Sequence, residues 1–485
     1  MISHTTNHTP NHTTNNTPSE QPRLTREQRI EQGKALRATV HRTSHAAFDP
    51  GPTRADPLAL LDREDASRVQ ELLPIRYGRM AASPFTYFRG AALPMASDLA
   101  ATPVTGLTVQ CCGDAHLSNF GLFGSPERRL VFDINDFDET LPGPWEWDVK
   151  RLATSVEIAG RNNDYSAGTR RRVVLATVAA YRNAMIEFAD LTTLEVWYAH
   201  ADVAAVRNRF DAKADQARRK EIKHAMAKAH SRDHLGALSR FTAVRDGQLR
   251  IVADPPLIVP MDEVVEPGTD IVEVVEGMRT LLRAYRSSLE PERRTLLDRY
   301  RFVDLAHKVV GVGSVGTRSW MILMLGDDVR DPLFLQAKEA GPSVLEKFTS
   351  PSVYDNAGRR VVVGQRLMQA VSDIFLGWIR VEHGMDGRGR DFYLRQLRDW
   401  KGSASVETMV PSAMQAYGEL CGWTLARAHA RSGDRIAIAA YLGSGDVFDE
   451  AVREFADAYA DQNERDHSAL VEAIRHGRIT AAPAE

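Results

Sequence analysis

The chain has few cysteines, no excess of charge of either sign and no long apolar run. Only three cysteines occur in 485 residues, and two of them are adjacent, so they supply neither a disulfide framework nor a four-ligand zinc site. With 61 basic and 64 acidic side chains the formal net charge is −3, which excludes a global field that attracts nucleic acid or an anionic membrane. No apolar stretch approaches the roughly 18 residues of a membrane-spanning helix, and the N-terminus lacks the pattern of a signal peptide. We therefore expect a cytoplasmic protein without nucleic-acid or membrane partners, of open oligomeric state.

Segments of helical and of β character occur in separate blocks, which predicts an α+β fold. Residues 1–22 are almost all Thr, Asn, His and Pro, too polar to bury a core, and predict a disordered tail. Short β-rich runs occur within 107–134 and again within 301–400. Helical patterns are found in seven segments, namely 23–40, 168–190, 202–232, 270–300, 359–381, 410–431 and 446–475.

A glycine-rich segment in the second β-rich block is a candidate phosphate-binding loop. It carries Gly311, Gly313, Ser314 and Gly316 in the order GVGSVG, and the strand-like runs RSWMILML and PLFLQAK follow it. A dinucleotide-binding loop would open a helix at its third glycine, so the strand that follows favours a hairpin. Such a hairpin brings backbone N–H groups to phosphates in protein kinases, and a lysine on a neighbouring strand, here Lys338, adds a positive charge. The alternative is a surface hairpin with an amphipathic lysine.

A second candidate site lies in the first β-rich block. Asp114 and Asn119 follow an apolar run and are separated by five positions, the Asp-to-Asn spacing of the kinase catalytic loop. Phosphoryl transfer needs a carboxylate to orient an acceptor hydroxyl and oxygen ligands for Mg²⁺. A cluster of acids that includes Asp136 comes shortly afterwards, and like charges this close favour a bound cation. An acidic turn in solvent is the alternative interpretation.

The segment GDAHLSN resembles the HGDLHPGN loop of aminoglycoside- and choline-kinase-like phosphotransferases, and INDFDE resembles their Mg²⁺-binding strand, I-D-F/W-x-D. The matching positions are Gly113, Asp114, His116 and Asn119 in the loop, and Asp136, Phe137 and Asp138 in the strand. The resemblance implies that Asp114 is the catalytic base and that Asn119 and Asp136 hold Mg²⁺. His116 corresponds to a frequent loop position.

Further positions follow from the same resemblance. Asp148, in WEWDVKRLA, is similar to the buried aspartate that braces the catalytic loop of these enzymes. Asp133 and Asp138 are implied as auxiliary metal ligands. The usual residue before Gly113 is histidine, but this chain has Cys112, which leaves the hydrogen bonding of the loop open.

The two candidate sites occur in the reverse of the usual kinase order, because the glycine loop and Lys338 follow the catalytic loop by about two hundred residues. We therefore predict a circularly permuted, bilobal, protein-kinase-like fold. Its predicted parts are a tail at 1–22, a large-lobe region at 23–300, a small-lobe nucleotide-binding region at 301–402 and large-lobe helices at 403–485. Within it, 359–381 would be the small-lobe helix and 391–400 the edge strand and hinge. Only one strand is evident after that helix, and Glu346 is a possible partner for Lys338.

Over most of its length, about residues 70 to 475, the chain resembles the bacterial domain-of-unknown-function family 2252. The segments that carry the resemblance include RYGRMAASPFTYFRGAA, GDAHLSNFG, NDFDET, VVGVGSVGTR and AYADQNERD. The family implies no established substrate. Arg76, Arg79 and Arg89, in the first of these segments, are candidates for contacts to a phosphate or an acidic acceptor, or for packing and salt bridges.

These observations predict an ATP- and Mg²⁺-dependent phosphotransferase that acts on an unidentified acceptor. A non-catalytic nucleotide-binding protein is the main alternative, because the glutamate that normally pairs with the lysine is missing. A metal-dependent phosphoesterase is a third possibility, although such sites use several histidines and only His116 is near the acids in sequence.

Overall fold

A computed structural model describes residues 24–202, 234–245, 247–264, 271–309, 311–384, 387–397 and 400–483. The predicted tail and residues 203–232 of a predicted helix lie outside these ranges. Within them the chain combines long helices with antiparallel sheets, so the predicted α+β class is confirmed. No helix in the described ranges is both long enough and apolar enough to cross a membrane.

The helices are numbered α1 to α16 along the described residues. Those before the second β-rich block are α1 Arg26–Thr39, α2 Pro57–Asp65, α3 Leu73–Ala81, α4 Pro84–Gly90, α5 Ala92–Leu99, α6 Trp145–Asn162, α7 Ala167–Asp190, α8 Thr193–Tyr198, α9 His234–Phe241, α10 Met261–Val264, α11 Ile271–Arg286 and α12 Pro291–Leu297. The later ones are α13 Ala357–Met368, α14 Pro411–Ser432, α15 Arg435–Leu442 and α16 Val447–Arg475. Several begin at the residues that local chemistry favours. Thr25 and Ser83 cap α1 and α4 in reciprocal capping boxes.

The strands of the described residues fall into four antiparallel sheets. They are β1 Thr108–Cys111, β2 Phe120–Gly124, β3 Leu130–Ile134, β4 Leu141–Pro144, β5 Ala201–Asp202, β6 Thr242–Arg245, β7 Gln248–Ile251, β8 Ile258–Pro260, β9 Arg301–Lys308, β10 Ser319–Leu325, β11 Pro332–Ala340, β12 Gly377–Val381, β13 Arg390–Gln396 and β14 Gly402–Ser403. Strand β1 pairs with β4, and β2 and β3 pair with each other between β14 and β5. The β1–β2 and β3–β4 connections therefore lie side by side, and they carry the two acidic motifs.

The largest sheet has six strands in the order β12-β13-β11-β10-β9-β8. The glycine loop joins β9 to β10, which pair antiparallel, so the predicted hairpin is confirmed. Lys338 lies on the next strand, β11, opposite Ser319 of β10 and Tyr393 of β13. One face of the sheet packs on α11 and α12 through Tyr285 and other apolar residues. Both helices precede residue 300, where the small-lobe region was predicted to begin. The other face packs on α9, where Phe241 contacts Phe334 edge to face.

The predictions for 359–381 and 391–400 were partly wrong. The helix α13 ends at Met368, and a loop leads into the separate strand β12 over Gly377–Val381. Two strands therefore follow the helix, not one. The strand at 391–400 is β13, which lies inside the sheet between β11 and β12, so it is not the edge strand. The error arose because the apolar residues of β12 continue the helical pattern of α13, and period alone cannot separate the two.

The main core surrounds α6, α7, α14 and α16. Trp145, at the start of α6, stacks on Tyr181 of α7 with ring planes 2° apart and centroids 5.9 Å apart, and it also contacts Tyr441 and Phe448. Helix α6 is buried along nearly its whole length. Two side chains of this helix, Asp148 and Arg151, also bind the β1–β2 loop. The core and the candidate site therefore share one rigid support.

Candidate active site

The β1–β2 loop is held from beneath by Asp148, near the start of α6. Its carboxylate accepts hydrogen bonds from the backbone N–H groups of Cys112, at 2.6 Å, and Gly113, at 3.0 Å. Gly113 has a φ of +81°, and a Cβ there would lie 2.4 Å from the carbonyl oxygen of Glu139. Glycine is therefore required where the two acidic loops touch. Cys112 does not disturb the loop, because its backbone N–H makes the contact.

A second helix supports Asp148. His429 of α14 places Nε2 3.1 Å from Asp148 Oδ2, and its Nδ1 lies 2.9 Å from the hydroxyl of Tyr181. All three side chains are buried. The hydrogen-bonded series Tyr181–His429–Asp148 thus connects two core helices to the backbone of the loop. The contact of His429 with Asp148 was not predicted from the sequence.

Asp114 projects from this loop with its two oxygens in different environments. Oδ1 accepts a hydrogen bond from Arg151 Nε at 2.6 Å, whereas Oδ2 lies 3.3 Å from Asn119 Nδ2 and 3.6 Å from His116 Nε2. Burial raises the pKa of Asp114, and the guanidinium of Arg151 opposes that rise. Burial, with Arg151 and Arg89, lowers the pKa of His116 well below its usual value, so this imidazole is neutral. Arg151 therefore fixes the orientation of the carboxylate while Oδ2 keeps only long contacts.

The β3–β4 loop brings two acids to the lysine of the large sheet. Lys338, only 2% exposed, places Nζ 2.5 Å from Asp138 Oδ2 and 3.7 Å from Asp136 Oδ2. Tyr393 lies on β13, opposite Lys338 of β11, and donates a hydrogen bond of 2.6 Å to Asp138 Oδ1. Residues 200 positions apart in the chain therefore form one charged cluster.

The charges in this cluster are strongly coupled. Burial raises the pKa of Asp138, but Lys338 and Tyr393 outweigh it and bring that pKa down to about 2. Burial and the adjacent Asp138 raise the pKa of Asp136. Burial lowers the pKa of Lys338, and the two aspartates more than reverse this and raise it above the usual range. Lys338 and Asp138 are accordingly an ion pair at neutral pH, while Asp136 is held less firmly in its charged form.

Asp133, the remaining predicted auxiliary ligand, lies apart from the cluster. It is buried, pairs with Arg427 of α14 and accepts a hydrogen bond from the backbone of Ile134 at 2.9 Å. The structure therefore gives Asp133 a role in joining β3 to α14, and the implied role as a metal ligand finds no support in its contacts.

The glycine loop turns its carbonyl groups toward the segment that contains α3. Its carbonyl oxygens accept hydrogen bonds from Arg79 at Gly311 (2.7 Å), Arg76 at Gly313 (3.0 Å), Arg68 at Val315 (2.7 Å) and the backbone N–H of Val69 at Gly316 (2.8 Å). The backbone N–H groups of Val312, Gly313, Ser314 and Gly316 have no hydrogen-bond partner among the described residues. Successive free N–H groups on a turn are a typical phosphate-binding arrangement.

A cavity of about 140 Å³ lies between the glycine loop and the two acidic loops. Its lining includes most of the predicted site residues, namely Asp114, His116, Asn119, Asp136, Asp138, Gly311, Gly313 and Ser314. Asp148, Lys338 and Gly316 are not among the lining residues. Asp148 and Lys338 lie behind residues that are, since they contact Gly113 and Asp138. The structure thus collects the predicted residues of both motifs around one cleft, and their chemical roles stay predictions.

A protein-family model matches residues 68–473, a range that contains every predicted site residue. The family is described as uncharacterized protein conserved in bacteria, DUF2252. The chain belongs to the DUF2252 family. No curated protein and no solved structure gave a significant match.

The oxygen donors of this DUF2252 cleft fit Mg²⁺ only in the company of phosphates. Within the described ranges, no group of three or more His, Cys, Asp or Glu side chains is placed to hold a metal ion. The lining residues assigned to the metal are Asp136 and Asp138, with two carboxylates, and Asn119, with an amide oxygen. Mg²⁺ is commonly bound by one or two carboxylates together with substrate phosphates and water. The residues present fit that arrangement, and they do not provide a complete site for a metal alone.

Several residues that shape the DUF2252 cleft were not predicted from the sequence. Arg151 lies one helical turn after Asp148 on α6, a spacing that would have indicated it once Asp148 was placed. Arg360 of α13 donates to the carbonyl groups of Asp138 and Thr140, at 2.8 and 2.7 Å. Glu346 is not the partner of Lys338, since it caps a short 3₁₀ turn through Ser343 N, at 3.0 Å. The acid that pairs with Lys338 is Asp138 of the β3–β4 loop. In protein kinases the corresponding acid is a glutamate on the helix that follows the lysine strand.

Proposed function

We propose that this DUF2252 protein is an ATP- and Mg²⁺-dependent phosphotransferase on a circularly permuted, kinase-like fold. One observation carries the proposal: Lys338 Nζ lies 2.5 Å from Asp138 and 3.7 Å from Asp136. A lysine beside a glycine loop and acids beside an Asp–Asn loop are the two halves of a phosphoryl-transfer site. Either half could occur by chance, but chance does not explain why they meet.

The topology of the large sheet supports the same proposal. The glycine loop joins two adjacent antiparallel strands, Lys338 follows on the third strand, and then come the helix α13 and two further strands. In protein kinases the glycine loop is likewise followed by a third strand that carries the lysine and then by a helix. After β13 the chain continues to α14, whose His429 reaches Asp148 under the catalytic loop. The permuted order thus supplies the parts in the spatial sequence that the chemistry needs.

Each part of the cleft has a task in this proposal. Free N–H groups of the glycine loop bind the phosphates, and Lys338 adds a fixed positive charge beside Asp138. Asn119 and Asp136, with Asp138, would hold Mg²⁺, which supplies charge neutralisation on the phosphates when bound. Arg76 and Arg79 act indirectly, because they hold the loop by its carbonyl groups and so leave its N–H groups available.

Asp114 orients the acceptor. Its Oδ1 is engaged by Arg151, which limits its basicity, so its main contribution is to position a hydroxyl group at Oδ2. In the transfer, the acceptor oxygen bonds to the γ-phosphorus of ATP, the bond from that phosphorus to the β–γ bridging oxygen breaks, and ADP leaves. The hydroxyl proton passes to Asp114 Oδ2. Positioning and electrostatic stabilisation account for most of the acceleration.

The test is ATP consumption and γ-phosphate transfer by the purified full chain against pools of acceptors. We expect Asp114→Asn to abolish transfer while retaining ATP binding, and Asp136→Ala to abolish transfer and weaken Mg²⁺-ATP binding. Asp457→Asn is the matched control, because Asp457 is an exposed residue of α16 paired with Arg161. Unchanged ATP consumption in Asp136→Ala would refute the assignment. A nucleotide-dependent rise in melting temperature without transfer to any acceptor would instead identify a non-catalytic nucleotide-binding protein.

A further inference from the structure

One arginine in the cleft has no close carboxylate partner. Arg89, the penultimate residue of α4, lines the same cavity as Asp114 and His116. Its side chain is only 22% exposed, yet its single ion pair among the described residues is a 3.6 Å contact from Nη1 to Glu407. The Nε group is buried and lacks a hydrogen-bond acceptor in the described ranges. Burying a guanidinium without hydrogen-bond acceptors costs free energy, unless a ligand supplies those acceptors.

The other cations around the cleft make hydrogen bonds and close ion pairs. Arg151 is bound to Asp114, and Lys338 to Asp138. Arg76 is buried against Asp65, at 3.2 Å, and donates to the carbonyl oxygens of Gly313 and Gly90. The remaining lining arginine, Arg68, pairs with Glu64 and Asp65. Of the two cations that line the cavity in the described part of the chain, Arg68 makes side-chain hydrogen bonds and Arg89 makes none.

The charged groups that act on Arg89 are Asp114, Glu407 and Arg79, and its own charge acts on His116. The acids Asp136 and Asp138 lie beside Lys338, whereas Arg89 is grouped with Asp114, already neutralised by Arg151, and with the neutral His116. The nearest other acid, Glu407, is 43% exposed, and its charge is well solvated. The catalytic end of the cleft thus carries a net positive charge, while the opposite end is acidic. The two ends suit an anionic group and a metal ion, respectively.

We propose that Arg89 binds an anionic group, phosphate or carboxylate, of the acceptor whose hydroxyl is oriented by Asp114. This inference rests on the proposed phosphotransferase function and narrows its acceptor to hydroxyl compounds that carry a negative charge. A guanidinium forms paired hydrogen bonds with planar carboxylates and with phosphates, which gives orientation as well as affinity. The anionic group anchors the acceptor at one point, and Asp114 selects the reacting hydroxyl at another.

The test uses acceptors in matched pairs, with and without an anionic group: glycerol 3-phosphate and glycerate against glycerol, and glucose 6-phosphate against glucose. We expect the wild-type chain to transfer γ-labelled phosphate preferentially to the anionic members. Arg89→Gln should lower kcat/KM for an anionic acceptor at least about 30-fold, with the KM for Mg²⁺-ATP unchanged. Arg89→Lys should lower kcat/KM less, because lysine keeps the positive charge although it lacks the paired N–H donors of the guanidinium. A preference for neutral or cationic acceptors, or one that persists in Arg89→Gln, would overturn the proposal.

A binding measurement separates this inference from the function on which it rests. Inorganic phosphate is titrated calorimetrically into the full chain, with and without a saturating non-hydrolysable ATP analogue and Mg²⁺. We expect phosphate to bind in both cases, and Arg89→Gln to weaken it, while the control Arg475→Gln at an exposed residue of α16 has no effect. If no transfer occurs but phosphate binding depends on Arg89, the anion site stands and the phosphotransferase fails. If Arg89→Gln leaves phosphate affinity unchanged, or if it lowers the affinity for the ATP analogue instead, the acceptor assignment is wrong.

Discussion

Lys338 and Asp138 form a buried ion pair of 2.5 Å although 200 residues separate them in the chain. Lys338 belongs to the large sheet and Asp138 to the β3–β4 loop beside the helical core. Tyr393 and Ser314 also contact Asp138, at 2.6 and 3.3 Å. The strand, the glycine loop and the acidic loop therefore meet at one carboxylate, and the predictions below start from this junction.

The first prediction concerns the strength of this pair. Lys338→Met leaves Asp136 and Asp138 buried without their cation, so we expect a loss of about 3 kcal/mol or more in the free energy of unfolding. Asp138→Asn should cost less, because Asp136 still faces the lysine. A double-mutant cycle measured by urea unfolding should give a coupling of about 2 kcal/mol. The exposed pair of Arg475 and Glu472 is the control and should show much weaker coupling. Equal coupling in the two cycles would contradict the structure.

The second prediction concerns the support of the β1–β2 loop. In Asp148→Asn an amide group would face either the N–H groups of Cys112 and Gly113 or His429, so at least one donor loses its acceptor. We expect a loss of about 1–3 kcal/mol in stability. Because Asp114 would shift, kcat for transfer should fall about 100-fold with little change in the KM for ATP. Urea unfolding and steady-state kinetics measure the two effects. A variant as stable and as active as the wild type would show that Asp148 does not brace the loop.

The third prediction concerns the glycine loop. Gly316 has a φ of +88°, and a Cβ there would lie 3.0 Å from Cβ of Arg68. Gly316→Ala should therefore destabilise the chain by about 2 kcal/mol and weaken nucleotide binding. Gly51 is the matched control, since its φ is +56° and nothing lies within 4 Å of an added Cβ. Gly51→Ala should cost only about 1 kcal/mol and leave nucleotide binding unchanged. Calorimetric unfolding and nucleotide titration decide; equal effects in the two variants would argue against a phosphate-binding loop.

The fourth prediction concerns the metal. Because the residues assigned to the metal supply two carboxylates and one amide oxygen, Mg²⁺ should bind tightly only when phosphates complete its ligands. Titration of Mg²⁺ alone should give weak binding, and prior addition of ADP or ATP should strengthen it at least about tenfold. Asp136→Ala should remove this enhancement. Tight Mg²⁺ binding without nucleotide would mean that the metal site is complete by itself, contrary to our assignment.

The fifth prediction concerns pH. Burial raises the pKa of Glu139 to about 7 from 4.5, against the opposing effects of Arg360 and the N–H group of Val344. The folded state therefore holds more protons than the unfolded state between about pH 4.5 and 7, and this residue makes stability fall as pH rises through that window. In Glu139→Gln the hydrogen bond to Val344 N can persist while the titration is lost. The variant should gain about 1–3 kcal/mol relative to wild type between pH 5 and 8, measured by urea unfolding. Parallel pH profiles would contradict the prediction, and the exposed Glu472→Gln is the control.

Local sequence predicted much of the architecture. The hairpin around the glycine loop, the strands that precede Asp114 and Asp136, and helices α7, α14 and α16 were anticipated, because each has a clear apolar period and identifiable boundaries; strands β2 and β4, which follow the two motifs, were not. The boundary between α13 and β12 was missed, since apolar residues continue across it and the change of period is short. Asp373, which caps the connecting loop by accepting hydrogen bonds from Phe375 N and Gln396 N, was the available signal for a break.

The residues of the cleft likewise divide into those that a local sequence motif indicated and those that it did not. Asp114, Asn119, Asp136 and the glycines belong to short motifs whose spacing is itself chemically informative. Arg89 was one of three candidate arginines in a family segment, whereas Arg151, His429 and Tyr393 were not predicted as site residues. All four belong to the cleft because helices and strands far apart in the chain pack against one another.

Composition and short-range pattern were enough to establish an α+β chain with two motifs suited to phosphate and metal, because backbone conformation responds to neighbours within a few residues. They could not decide that Lys338 pairs with Asp138 in place of Glu346, or that Arg89 is left without a close partner. Those outcomes depend on which charged groups are buried together, and burial is a property of the packed chain as a whole. Desolvation in the assembled cleft thus selects the ionic partners that local sequence leaves open.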